Sequence, residues 1–220
     1  MIGTNDKVKR YVEKSEDPWG LKRAGMDKRR ASLIKRCIGK SGLVMDIGCA
    51  FGIYSDFLKK IGNFVISTDA SKRMVVEGRK NFGGLHFVAG HGESLPYKSG
   101  MFDAVLCMGT LIYSSDRRAF LSELHRVLRK GGKLCVIERN KNSPLHLIVR
   151  KAKRNEQSVD NPETYFTKKD LKSLLAGAGF RIKRIRGDRI SLPFITNLTS
   201  PLAERLPSLA YFLVFECEKE

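Results

Sequence analysis

This chain is poor in acid. Against 41 lysines and arginines stand only 23 aspartates and glutamates, a net charge of +18 over 220 residues. Such a balance disfavours cationic partners and favours anionic ones such as phosphate, nucleic acid or an acidic lipid surface. Cysteine is scarce and unpaired. Cys37, Cys49, Cys107, Cys135 and Cys217 are odd in number, widely spaced and without a Cys-x-x-Cys pair, which argues against a disulfide framework, a thiolate zinc site or a dithiol redox centre and predicts buried free thiols. His86, His91, His125 and His146 are equally scattered, so no metal-ligand spacing arises and no metal is expected. For His125, inside a helical pattern, packing or exposure is the expected role. No glycine-, serine- or proline-rich linker, internal repeat or low-complexity tract divides the sequence, and its length suits one domain with a sizeable core. Long hydrophobic runs are missing as well. The longest, near 210–215, is far too short to cross a bilayer, and no secretory apolar stretch opens the chain, so a cytoplasmic location is expected.

What is present is an ordered series of apolar runs with marked turns. Val44-Met45-Asp46-Ile47 breaks into Gly48-Cys49-Ala50-Phe51-Gly52, and after one helix length Phe64-Val65-Ile66-Ser67-Thr68 ends in Asp69. This is the layout of the first half of a nucleotide-binding βαβ unit. Gly48 and Gly52 sit where the strand bends into the helix and the backbone approaches a ligand. Asp69, near the end of the second strand, is placed to accept hydrogen bonds from the vicinal hydroxyls of a ribose. Downstream, a third run at 85–89 leads into Gly90-His91-Gly92-Glu93-Ser94-Leu95-Pro96-Tyr97, and Met101-Phe102-Asp103 opens a fourth. Phe120, Leu121, Leu124, Val127 and Leu128 then recur at helical spacing, Lys130-Gly131-Gly132 supplies the stop, and a fifth strand runs over 133–138. Two further strands are expected at 181–186 and 210–216.

The set formed by Asp46-Ile47-Gly48-Cys49-Ala50-Phe51-Gly52, Asp69, Leu95-Pro96-Tyr97 with Phe102-Asp103, and Arg126-Val127-Leu128-Arg129-Lys130-Gly131-Gly132 resembles the class I S-adenosylmethionine-dependent methyltransferases. The likeness is to the group that includes quinone C-methyltransferases and many small-molecule methyltransferases, and it spans 43–138. Asp17-Pro18-Trp19-Gly20 is similar to a segment of nodulation-type sugar N-methyltransferases. The resemblance implies a three-layer, Rossmann-like, doubly wound α/β sheet of about seven mostly parallel strands, the last antiparallel, with helices on both faces. It implies S-adenosylmethionine as cofactor. The turn 48–52 would hold its methionine part with Asp46 and Cys49 nearby, Asp69 its ribose, Ala70 and Met74 the adenine faces, and Gly92-Glu93 the adenine edge, while the backbone at Cys107 and Met108 would face its amino group. Two positions depart from the family. Ala50 replaces the middle glycine, which is compatible with binding if φ stays negative there. His91 replaces an acidic residue, and neutral imidazole accepts one hydrogen bond from the adenine amino group.

A single domain is expected, with a basic helical cap at 1–42, a cofactor-binding core at 43–138 and substrate-covering inserts at 139–166 and 190–209. The basic excess is concentrated in the flanks, with 12 basic and 5 acidic residues in 1–42 and 14 and 5 in 139–191. That favours an anionic acceptor, or a peripheral membrane contact through an amphipathic helix at 144–153; a solvated basic face that serves solubility alone is the other reading. For a nucleophile that must lose a proton, Tyr113 and Glu138 are the candidate bases, and Tyr11 and Trp19 are candidates to close over the cofactor. A nicotinamide-dependent dehydrogenase is disfavoured because Gly48-Cys49-Ala50-Phe51-Gly52 has nothing to match the third glycine of its fingerprint. The alternative is a non-catalytic protein of the same fold that binds RNA or a protein partner through its basic flanks.

Overall fold

The computed structural model describes residues 25–144, 165–189 and 200–220. Tyr11, Trp19, the segment 17–20, residues 145–153 of the helix expected at 144–153 and the stretch 190–199 lie outside the described residues. Seven strands form one sheet: β1 (Leu43–Ile47), β2 (Phe64–Asp69), β3 (His86–Ala89), β4 (Phe102–Met108), β5 (Leu128–Arg139), β6 (Phe180–Asp188) and β7 (Phe212–Lys219), in the order β3-β2-β1-β4-β5-β7-β6. β3, β2, β1, β4 and β5 pair in parallel. β7 slots between β5 and β6 and runs antiparallel to both, so the one reversed strand lies inside the sheet and β6 forms the edge.

Six helices are described: α1 (Lys28–Cys37), α2 (Ile53–Lys60), α3 (Lys72–Asn81), α4 (Arg117–Val127), α5 (Lys168–Gly177) and α6 (Ser200–Arg205). Their starts are chemically marked. Asp27 caps α1 through the Arg29 and Arg30 N–H groups, Ser71 caps α3, Asp116 caps α4, and Thr167 with Asp170 forms a capping box on α5. Because side chains alternate along a strand, the sheet buries two cores. On one face Val44, Ala104, Leu106 and Val214 pack against Leu33 and Ile34 of α1, Leu58 of α2 and Val75 of α3. On the other, Met45, Ile47, Val105, Cys107 and Phe215 pack against Leu121 and Leu124 of α4 and Leu171 and Leu175 of α5. A parallel sheet covered on both faces needs such near-continuous apolar strands.

The helix stop expected at 130–132 falls earlier. α4 ends at Val127, and Leu128 is already extended and paired with Phe102 in β5. Gly131, with φ +69°, sits in a register shift of that strand rather than at the helix cap. The connections that turn the strand order around leave β1 and β4 side by side at the centre, and a ligand crevice opens outside their carboxyl ends. Among the described residues, no helix is long and apolar enough to cross a membrane and no group of three or more His, Cys, Asp or Glu is arranged to hold a metal ion. The five cysteines are free; Cys37 is half-buried and the other four are buried.

Candidate functional site

A cavity of about 760 Å³ opens at that switch point. Its floor is the turn after β1. Gly48 and Cys49 donate their N–H groups to the Thr68 carbonyl, at 2.8 and 3.1 Å, which ties the turn to the end of β2. Gly48 has φ +72°, and a Cβ there would lie 2.0 Å from the Thr110 hydroxyl oxygen, so only glycine fits. Ala50 has φ +47°. The negative φ expected for it is therefore not found: the alanine keeps a glycine-like, left-handed backbone, because its N–H points at the Asp69 carboxylate and donates to Oδ2 at 2.9 Å. Gly52, at φ +87°, opens α2, and a Cβ on it would meet the Phe87 ring at 2.6 Å. Gly52 serves packing behind the turn and does not line the cavity.

Two buried carboxylates face the floor. Asp69 holds the turn with one oxygen and the start of α3 with the other, accepting from Ser71 N–H at 2.8 Å. Burial pushes its carboxyl above the ordinary value, against the opposing pull of the Ser71 and Ala50 hydrogen bonds. Asp46 accepts from the Ser55 hydroxyl at 2.6 Å. Burial pushes its carboxyl up to about 7, the Ser55 hydrogen bond works against this, and the charge of Asp69 adds to it.

The walls come from the loops after β2, β3 and β4. Ala70, His91, Gly92, Glu93, Met108 and Tyr113 all line the cavity. His91 is exposed at its rim, and Gly92 is wedged so tightly that a Cβ would fall 1.9 Å from Cε2 of Phe120. The Glu93 carboxylate accepts from the Ser114 hydroxyl at 2.8 Å and the Ser115 N–H at 3.1 Å. Burial opposes ionisation of Glu93, but these bonds outweigh it and hold its carboxyl below the usual range.

Besides Gly52, the side chains of three residues picked from the sequence point elsewhere, although the expectation for Cys107 concerned its backbone alone. Met74 and Cys107 are fully buried in the helix–sheet cores, and neither lines the cavity. Glu138 is fully buried at the end of β5 and does not line it either. Its Oε1 accepts from Thr110 N–H at 3.0 Å and Leu111 N–H at 2.8 Å, and burial raises its carboxyl to about 8 despite those bonds. Such a group positions the loop after β4 and has no path to an acceptor. Thr110 completes the lock, donating to the Ile47 carbonyl at 3.1 Å. Sequence reading passed over Thr110 entirely, and only its place after β4 hinted at a role.

The far side of the cavity was also unmarked. Asp27 and Arg30 from the start of α1, Tyr54 from α2, Arg139 at the end of β5, Arg189 after β6, and Tyr211 and Phe212 at the start of β7 all line it. These segments are scattered along the chain, and the start of α1 meets the end of β6 across a separation of 158 residues in the Arg30 to Asp188 hydrogen bond.

Comparison with known proteins agrees with this fold. Residues 45–136 match the family described as methyltransferase domain. A demethylmenaquinone methyltransferase of Beutenbergia cavernae is 38% identical over 140 residues, covering 63% of this chain and 57% of that protein. A malonyl-[acyl-carrier protein] O-methyltransferase of Hamiltonella defensa is 31% identical over 93 residues, 42% of this chain and 36% of that one. The chain thus spans about half the length of the curated relatives it matches. A Thermotoga maritima crystal structure, described as a SAM-dependent methyltransferase and possible histamine N-methyltransferase, superposes with a TM-score of 0.78 at 25% identity, covering 97% of this chain and 98% of that one.

Proposed function

From the premise that this chain belongs to the class I S-adenosylmethionine-dependent methyltransferases, we propose that it transfers the methyl group of that cofactor to a small-molecule acceptor by in-line displacement. The observation that carries the reading is the Asp69 carboxylate, buried at the end of β2, stitched to the turn at Ala50 and to the start of α3 at Ser71, and facing a cavity at the switch point. Each Asp69 oxygen receives one backbone N–H and has a second acceptor direction for a ribose hydroxyl. The closely packed turn 48–50 gives the methionine part a backbone surface, and Asp46 and Asp69 supply negative charge for a ligand with a sulfonium and an ammonium group. The residues fit the cofactor.

When bound, the cofactor supplies an electrophilic methyl group already activated by its positive sulfur. The protein then has to align a nucleophile with the carbon–sulfur bond and exclude water. Asp69 fixes the ribose, while Ala70 and the Gly92-Glu93 backbone bound the adenine. Met108 and the Thr110 loop, held from behind by Glu138, form the wall between cofactor and acceptor. Tyr113, on that wall, is the candidate to receive a proton from a hydroxyl or ammonium acceptor. The start of α1, with Arg139 and Tyr211-Phe212, covers the acceptor side.

The test is transfer of tritium from methyl-labelled S-adenosylmethionine into fractions of an extract from cells of the source organism. The proposal predicts label in the small-molecule fraction, dependent on the protein. Label confined to RNA or protein, or none at all, contradicts it.

A further inference from the structure

The cavity is chemically divided. Its β3-β2-β1 half carries the nucleotide-type features, and its β5-β7-β6 half carries arginine and aromatic rings. Arg139 ends β5, and its Nη1 donates to the Tyr165 hydroxyl at 2.8 Å. Arg30 lies with its guanidinium 4.1 Å above the Phe212 ring, and its Nε donates to the buried Asp188 at 3.1 Å. Arg189, held in a left-handed conformation at φ +62°, pairs with Asp27. Tyr211 and Phe212 meet edge to face with centroids 4.8 Å apart, and Tyr113 closes the chamber from the β4 side. Three guanidiniums therefore gather in a half-buried, ring-lined space where the local carboxylates are Asp27 and Asp188. Asp188 is fully buried behind Arg30, and Asp27 lines the cavity beside Arg189, so three guanidiniums stand against one lining carboxylate in this half.

We propose that this half is an acceptor subsite for a planar, ring-bearing anion. The acceptor's ring would lie against Tyr211 and Phe212, and its carboxylate or phosphate would face Arg139 and Arg189. The inference rests on the methyltransferase reading above and deepens it. Ring walls suit a flat acceptor because aromatic pairs favour offset or edge contacts over a preformed surface. A guanidinium fork recognises carboxylate and phosphate in a planar, bidentate way. A neutral lipid quinone would gain nothing from three arginines and would leave their charge facing an apolar tail.

Salicylate and phenyl phosphate, titrated calorimetrically into protein saturated with S-adenosylhomocysteine, provide the test, with salicylamide and phenol as their neutral counterparts. The two anions separate a carboxylate from a phosphate as the preferred group. The subsite predicts that at least one anion binds about tenfold or more tightly than its neutral counterpart. Arg139→Gln should abolish that preference, Arg189→Gln should weaken it, and Lys130→Gln, an equal charge change on the exposed far end of β5, should leave it intact. Equal affinity for anion and neutral counterpart in the wild type, or no binding of either at millimolar concentration, overturns the subsite. If S-adenosylhomocysteine itself fails to bind, the methyltransferase reading falls, and this one with it.

Discussion

Replacing Ala50 with glycine should stabilise the protein. Ala50 is held at φ +47°, where the Cβ of an L-residue crowds the carbonyl oxygen at a cost of roughly 1–2 kcal/mol. It cannot relax, because its N–H is fixed on Asp69 Oδ2 at 2.9 Å while Gly52 N–H closes the same turn on the Cys49 carbonyl at 2.8 Å. Glycine removes that crowding but gives the unfolded chain more freedom, which offsets about 0.4–1 kcal/mol. The net gain is about 0.5–1 kcal/mol, which for a chain of this length raises Tm by roughly 1–4 °C. Thermal unfolding of the two proteins followed by circular dichroism at pH 7 measures it. The same pair compared in an Asp69→Ala background should show a smaller gain, since the carboxylate no longer holds the turn. A lower or unchanged Tm for Ala50→Gly would refute the reasoning.

Three further outcomes follow from the site. Asp46 ionises only near pH 7 because it is buried, so affinity for the positively charged cofactor should rise as pH increases from about 6 to 8. Titrations across that range should show the slope in the wild type and a flat, weaker profile in Asp46→Asn. Glu138 has its folded-state value raised from 4.5 to about 8; its stabilising contribution is complete below pH 4.5 and is lost as pH rises toward 8. Glu138→Gln, which still accepts from the Thr110 and Leu111 N–H groups, should therefore gain stability relative to the wild type at pH 8 and show a flatter dependence of Tm on pH. Gly92→Ala forces a methyl into the Phe120 ring and should cost about 1–3 kcal/mol through overpacking; denaturant melts should show partial recovery when Phe120→Leu makes room.

The first three strands were legible in the sequence because each apolar run ends in residues that cannot continue it: glycine after β1, Asp69 closing β2, Gly90 after β3. The half of the cavity proposed for the cofactor was legible for the same reason, since a turn and a strand end are local features. Met74 turns into the core from α3, and the side chains of Cys107 and Glu138 miss the cavity through a finer effect. Successive residues of a strand point to opposite faces, so Met108 reaches the cavity while Cys107, one residue earlier, points into the core. A run of letters does not carry that phase at a strand end. Ala50 shows the reverse: the sequence flagged the position, but only the Asp69 hydrogen bond explains why the backbone stays left-handed. The half proposed for the acceptor was illegible because no short stretch encodes it. Arg30, Arg139 and Arg189 belong to three distant segments, and in a chain with 41 basic residues nothing local sets them apart. They are brought together only because β7 inserts between β5 and β6 and draws the Tyr211-Phe212 pair under the start of α1.

The central claim is that the turn 48–50 and Asp69 form a binding site for S-adenosylmethionine. Calorimetric titration of the wild-type protein with that cofactor, beside an Asp69→Ala variant confirmed folded by its thermal melt, tests it most directly. Saturable one-site binding by the wild type, weakened about tenfold or more in the variant, is the predicted result; a wild-type protein that shows no binding at millimolar cofactor would contradict the account.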